Sequence, residues 1–203
     1  MSLYCYVVAV LLSYLIGSLS FGAIIAKLKK VDIFSMGSCT SGATNVNRAL
    51  GKHAGYLVFV LDFFKGVIPT WIIVKFVSPE NPSNTKLAML GLLGVILGHS
   101  FSIFHRLRGG KGIASAMGGL LIIMPKALLM GVFIWLVIFH ATKIVSMASL
   151  CFSSSIILTS YLFLYPKENT TFALILNLLI FWRHRENIAK MICGTEYKFT
   201  KKS

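Results

Sequence analysis

Long apolar stretches alternate with polar ones along this chain, and their order predicts its elements before any composition is counted. Residues 3 to 26 form one apolar run that ends at Lys27, Lys29 and Lys30. A helix needs about 20 apolar residues to cross a bilayer, so this run predicts a first span, and the cations that follow it put the N-terminus outside. A cleaved leader would carry its positive charge ahead of the apolar segment instead. Residues 31 to 54 are polar, rich in Ser, Thr, Asn and Gly, and too long for a simple turn, so ordered structure is expected there. Further apolar runs cover about 55 to 76 and about 87 to 104, with a turn-rich outer loop at Pro79-Glu80-Asn81-Pro82-Ser83-Asn84 between them. Gly94 and Gly98, four residues apart in the third run, allow a neighbouring helix to approach closely. Residues 113 to 124 and 127 to 141 are each short for a full crossing and are split by Pro125-Lys126. They read as an out-and-back pair, or as one segment only partly inserted. Residues 144 to 165 and 171 to 182 complete the set, separated by an outer loop at 166 to 169, and the chain is polar from Arg183 onward.

Composition fixes the class. With 203 residues, 56% of them hydrophobic and 13% charged, and a mean hydropathy of +0.79, the chain carries more apolar surface than a soluble core of its size can hide. The expected fold is an all-α integral membrane protein with seven transmembrane helices, some short or re-entrant, in one polytopic domain over residues 1–203. Five full spans result if 113 to 141 re-enters. Charge orients it: of the twenty Lys and Arg, fifteen fall in loops on one side, four on the other, and Lys65 lies inside the second span. That asymmetry predicts the N-terminus outside and the C-terminus cytoplasmic.

The formal charge of +14 would suit nucleic acid if it were gathered on a soluble face, but here the cations stand between apolar spans. Anionic lipid headgroups and anionic substrates fit better. Cys5, Cys39, Cys151 and Cys193 form no CxxC pair, which argues against a disulfide framework or a zinc site. No metal and no cofactor are expected.

Three unusual polar stretches, 35 to 51, 98 to 112 and 183 to 196, all fall on the predicted inner side. In the second, Arg106, Arg108 and Lys111 stand beside Gly109, Gly110 and Gly112, a turn suited to a phosphate. It is not a Walker A loop, because His105 and Gly112 occupy positions that motif reserves for Gly and for Ser or Thr. A plain basic membrane-flank loop remains the alternative for this stretch taken alone. In the first, Gly37-Ser38-Cys39-Thr40-Ser41-Gly42-Ala43-Thr44-Asn45 offers hydroxyl and amide groups on a glycine-jointed backbone, and Arg48 adds a fork for bidentate phosphate contact. In the third, His184 and Asn187 share a helical face at i, i+3; His184 is either a packing residue or a group able to donate to phosphate or act as a base. Asp62 and Lys65, also i, i+3, sit in an apolar run, where a mutual ion pair is the simplest account.

In order, Gly37-Ser38, Gly42-Ala43-Thr44-Asn45 and Arg48, then Leu61-Asp62-Phe63-Phe64-Lys65-Gly66, then Gly98-His99 and Gly109-Gly110-Lys111-Gly112, then Arg183-His184-Arg185-Glu186-Asn187 and Gly194-Thr195-Glu196 carry a resemblance. The chain resembles, over nearly its whole length, the bacterial membrane acyl-phosphate:glycerol-3-phosphate acyltransferases, the PlsY family. The resemblance implies a seven-helix inner-membrane enzyme with cytoplasmic active-site loops. Its reaction moves a fatty acyl group from acyl phosphate to the 1-hydroxyl of glycerol-3-phosphate, the first acylation of bacterial phospholipid synthesis, giving lysophosphatidic acid and inorganic phosphate. It further implies a catalytic set of Lys111, Ser38, His184 and Asn187. Substrate phosphate would be bound by Arg48, Lys111, Ser38, Asn45, Gly109, Gly110 and Ser149, with His99, Asp62, Lys65 and Glu196 in support. The proton of the attacking hydroxyl would go to a substrate phosphate oxygen or to His184. Partners implied are the two substrates, membrane lipid and the soluble enzyme that makes acyl phosphate; nucleic acid is not among them.

The sequence agrees from another direction, since no Asp stands five residues after any of the five histidines, and the His-x4-Asp signature of other glycerolipid acyltransferases is therefore absent. One departure stands out. The family's first motif usually reads Gly-Ser-Gly-Asn, whereas Cys39 and Thr40 hold its third and fourth places here. Cys strains a backbone that Gly takes at positive φ, and Thr lacks the amide donors of Asn, so a less tolerant but active loop is expected. A small transporter of an anionic phosphate ester is the competing reading, though the chain shows no internal repeat.

Overall fold

In a computed structural model, residues 3–77 and 85–199 are described, and among them every regular element is helical. The outer loop expected at Pro79 to Asn84 lies outside the described residues. Five helical stretches are long and apolar enough to cross a membrane: Tyr6–Leu28, Lys52–Val77, Lys86–His105, Pro125–Thr142 and Val145–Leu162. The chain is thus an all-α membrane protein, and it divides into two compact units, Met1–Ile123 and Met124–Ser203.

In the first unit, α1 (Leu3–Ser18) and α2 (Phe21–Leu28) replace the single helix expected over 3 to 26. The break has a physical reason that lies elsewhere in the chain. It frees two carbonyls that lipid could not satisfy: Ser18 O accepts Ser102 Oγ at 2.6 Å and Leu19 O accepts Lys65 Nζ at 2.9 Å. The polar stretch is ordered as expected, with a 3₁₀ turn at Ile33–Ser35 and α3 (Ala43–Leu50), after which Gly51, at φ 89°, turns the chain into α4 (Lys52–Ile72). A π-helical turn, Ile73–Val77, extends α4, and α5 (Lys86–Ser100) and α6 (Ile113–Ile123) follow. At 1.5 Å per residue α6 is only about 17 Å long, against about 30 Å of hydrocarbon.

The glycine spacing read from the sequence is used as a seam. A Cβ on Gly98 would strike the Tyr14 carbonyl and one on Gly17 the Val95 carbonyl, so α1 and α5 meet backbone to backbone. Helices α4 and α6 cross in the same way, Gly66 against the Ser115 carbonyl and Gly118 against the Phe63 carbonyl, with Ser115 Oγ donating to Asp62 O at 3.0 Å.

The second unit holds α7 (Pro125–Thr142), α8 (Val145–Leu162), α9 (Lys167–Arg183) and α10 (Arg185–Ile192). Pro125 opens α7 at a position where its missing N–H costs nothing. Helix α9 begins four residues before the apolar run starts, because Lys167 to Thr170 are helical despite their polarity. Gly131 lets α7 close on Phe152 and Ile156 of α8, and Asn177 of α9 accepts from Ser153 Oγ at 2.8 Å. The tail returns to the α7–α8 turn, where Phe199 N donates to Lys143 O at 2.8 Å.

Polarity runs inside out. Ser13, Ser18, Asp62, Lys65, Thr70 and His99 are buried, while Leu11, Phe64, Ile68, Leu129, Phe133, Leu158 and Leu178 are exposed. Such a surface suits hydrocarbon, not water.

Candidate functional site

The first polar loop is organised by Asn45, which is 1% exposed at the start of α3. Its Nδ2 donates to the carbonyls of Met36 (2.9 Å), Thr40 (2.8 Å) and Ile33 (3.2 Å), and its Oδ1 accepts the Ser38 amide at 2.9 Å. Gly37, at φ 57°, lies so close to Asn45 Oδ1 that a side chain there would collide with it. Asn45 thus shapes the loop from beneath, and Ser38 is left half-buried at its surface, its Oγ 3.0 Å from Thr40 Oγ1. Cys39 has φ 51°, the left-handed backbone that the departure from Gly implied. Arg48 follows one turn later, half-buried near the end of α3.

The glycine-lysine turn sits against this loop. A Cβ on Gly42 would lie 3.8 Å from the Gly110 Cα. Gly110 N donates to His99 O at 3.0 Å, and Gly112 has φ 82°, so Lys111 stands half-buried between two fixed glycines. Arg106 and Arg108 are exposed, and Arg106 and Leu107 are both left-handed at φ 52° and 59°. Backbone strain of this kind on two successive non-glycine residues is uncommon and is held here by Leu107 N donating to Ser102 O at 2.9 Å. Beneath the turn lies the ion pair, Lys65 Nζ to Asp62 Oδ1 at 2.8 Å, with His99 Nδ1 3.6 Å from the same oxygen.

The second unit gathers the remaining residues in two places. His184 Nδ1 lies 2.8 Å from Ile180 O. A carbonyl only accepts, so Nδ1 carries a hydrogen and, in the neutral ring, Nε2 carries the lone pair. Asn187 Nδ2 donates to Glu196 Oε1 at 2.8 Å and Ser146 Oγ donates to that oxygen at 2.9 Å. Ser149 accepts from Trp135 Nε1 at 3.3 Å.

Within the first unit, then, the structure brings the Ser38 loop and the Lys111 turn close together and sets His99 against the latter, with Asp62 and Lys65 behind it. Within the second it joins Asn187 to Glu196. Three further residues hold these groups: Thr40 lies against Ser38, Ser146 donates to Glu196 and Trp135 donates to Ser149. Ser146 lies one helical turn before Ser149, in the run Ser146-Met147-Ala148-Ser149.

The model of the family described as glycerol-3-phosphate acyltransferase matches residues 7–194. The glycerol-3-phosphate acyltransferase of Aquifex aeolicus (strain VF5) is 43% identical over 190 residues, covering 94% of this chain and 97% of its own. That of Fusobacterium nucleatum is 38% identical, covering 98% and 99%. Among solved structures, PlsY (YgiH), an integral membrane glycerol 3-phosphate acyltransferase, superposes in its glycerol 3-phosphate form with a TM-score of 0.90 at 40% identity, covering 97% of this chain and 96% of that one. Its lysophosphatidic acid form gives 0.88.

Proposed function

Since the chain belongs to the glycerol-3-phosphate acyltransferase family, we propose that it transfers a fatty acyl group from acyl phosphate to the 1-hydroxyl of glycerol-3-phosphate. The observation that carries this reading is the close approach of Gly42 to Gly110, with room for about one methyl group between them. It sets two glycine-jointed loops side by side, one bearing Ser38 and leading into the helix that carries Arg48, the other bearing Lys111. Both substrates are phosphates, and holding them together against their mutual repulsion takes several fixed cations.

The 1-hydroxyl oxygen attacks the carbonyl carbon of the acyl phosphate, the carbon–oxygen bond to phosphate breaks, and lysophosphatidic acid and inorganic phosphate result. An acyl phosphate is a mixed anhydride with a good leaving group, so position and electrostatics suffice. Lys111 and Arg48 neutralise charge growing on the departing phosphate, while Ser38 and the Gly109 and Gly110 backbone bind and orient phosphate. Asn45 serves by holding the Ser38 loop. Ser149, Asn187 and His184 bind and orient substrate, with Glu196 fixing Asn187. The hydroxyl proton passes to a phosphate oxygen of the substrate or to His184 Nε2, whose lone pair is set by the Nδ1 contact.

The same reading takes residues 1–203 as one polytopic domain of the bacterial inner membrane, with seven spans, the N-terminus outside and the active-site loops cytoplasmic. The bias of Lys and Arg toward the loops on one side supports that orientation. The exposed Arg106 and Arg108 suit anionic headgroups and docking of the soluble acyl-phosphate-producing enzyme. The test is phosphate release and lysophosphatidic acid formation by purified protein given palmitoyl phosphate and glycerol-3-phosphate. Release that requires both substrates supports the reading; release no faster than spontaneous hydrolysis overturns it.

A further inference from the structure

Asp62 is 1% exposed, Lys65 4% and His99 6%, all within apolar helices. An ion pair that satisfied only itself would add little there, since the desolvation of both charges offsets their attraction. This pair reaches further. The oxygen that Lys65 holds also faces His99 Nδ1, and His99 grips the residues before Lys111 in two ways. Its carbonyl accepts the Gly110 amide at 3.0 Å, and its ring lies against Gly110 so closely that a Cβ there would strike Nε2. A Cβ on Gly109 would likewise strike the His99 carbonyl. Gly42 lies near the turn without touching it tightly, and Ser115 Oγ of α6, just after the turn, donates to the Asp62 carbonyl.

We propose that Asp62 is a positioning residue for the glycine-lysine turn, acting through His99: its carboxylate fixes the imidazole, the imidazole fixes Gly110, and Gly110 fixes the point from which Lys111 reaches. Lys65 orients Asp62 by holding Oδ1 while anchored to the Leu19 carbonyl. The consequence for turnover rests on the function proposed above, whereas the mechanical coupling does not.

The experiment therefore reads both. In the double variant Asp62→Asn, Lys65→Met, which removes both charges and also frees the Leu19 carbonyl, amide hydrogen exchange is followed over residues 106–112 and over α4 and α5, away from that carbonyl. Faster exchange confined to 106–112 is expected; unchanged exchange there, or a uniform rise through α4 and α5, overturns the coupling. His99→Asn, which leaves the ion pair intact, is the second variant should the first not fold, and is expected to loosen the same segment. Turnover is then compared with and without Lys111→Ala. Misplacement of a positioned group by about 1 Å costs on the order of a hundredfold, so kcat/KM is expected to fall about tenfold to a hundredfold with Lys111 present and hardly at all without it. An equal loss in both backgrounds would make Asp62 merely structural. If the parent shows no turnover, the proposed function fails while the exchange result still decides the coupling.

Discussion

Asn187 and Glu196 are joined by one short contact, Nδ2 to Oε1 at 2.8 Å, and Ser146 Oγ shares the same acceptor at 2.9 Å. Tethering the amide nitrogen fixes where the Asn187 carbonyl points. Glu196→Gln keeps an oxygen able to accept both donors, so turnover within about threefold of the parent is expected. Glu196→Ala leaves two buried donors without that acceptor, at about 1–3 kcal/mol. Its unfolding midpoint and kcat are both expected to fall, the latter about tenfold, as measured by thermal unfolding and lysophosphatidic acid formation.

Asn45→Asp preserves shape and reverses polarity. An oxygen would then face the carbonyls of Met36, Thr40 and Ile33 in place of the amide that now donates to them. A cost of about 3 kcal/mol is expected from the lost and repulsive contacts. Thermal unfolding should show it, and the KM for glycerol-3-phosphate should rise as the Ser38 loop loosens.

At Cys39 the left-handed backbone costs a non-glycine residue about 1 kcal/mol, so Cys39→Gly is expected to raise the unfolding midpoint. Thr40→Val, which deletes the hydroxyl 3.0 Å from Ser38 Oγ, is expected to raise the KM for glycerol-3-phosphate about fivefold, the worth of one hydrogen bond near 1 kcal/mol. A Cys39→Gly, Thr40→Asn double variant with unaltered KM would show that this departure from the usual family motif is neutral.

Lys111→Ala is expected to lower kcat by about a hundredfold or more, the usual loss when one preorganised donor is removed from developing charge. The unfolding midpoint should not move, because Lys111 is half-buried and the turn is held by the backbone of Gly110 and His99. Phosphate release at matched folding checks it; retained turnover would remove Lys111 from the reaction.

Much of this was legible along the chain because it is local. The apolar runs marked the helices, Gly94 and Gly98 marked a face for close helix approach though not that α1 fills it, and the Cys39 departure foretold its positive φ. What was not legible depends on residues far apart in sequence. The break at Ser18 to Ser20 is supported by Lys65 and Ser102, 46 and 84 residues from the carbonyls they satisfy. The grip of His99 on Gly110 and the tie of Ser146 to Glu196 join separate elements, and no periodicity encodes them. The start of α9 was hidden for a different reason: its first turn is polar yet helical.

The α1–α5 seam has a bearing on biogenesis. The surface of α1 around Tyr14 and Gly17 matches backbone that is synthesised only when Val95, Gly98 and Phe101 emerge, Tyr14 Oη donating to Phe101 O at 2.7 Å. At about 5–20 residues per second of synthesis, the first helix waits several seconds in lipid for its partner. During that interval the face of α1 that carries Tyr14 and Gly17 has none of its α5 backbone to pack against, so the seam closes only after both helices are made.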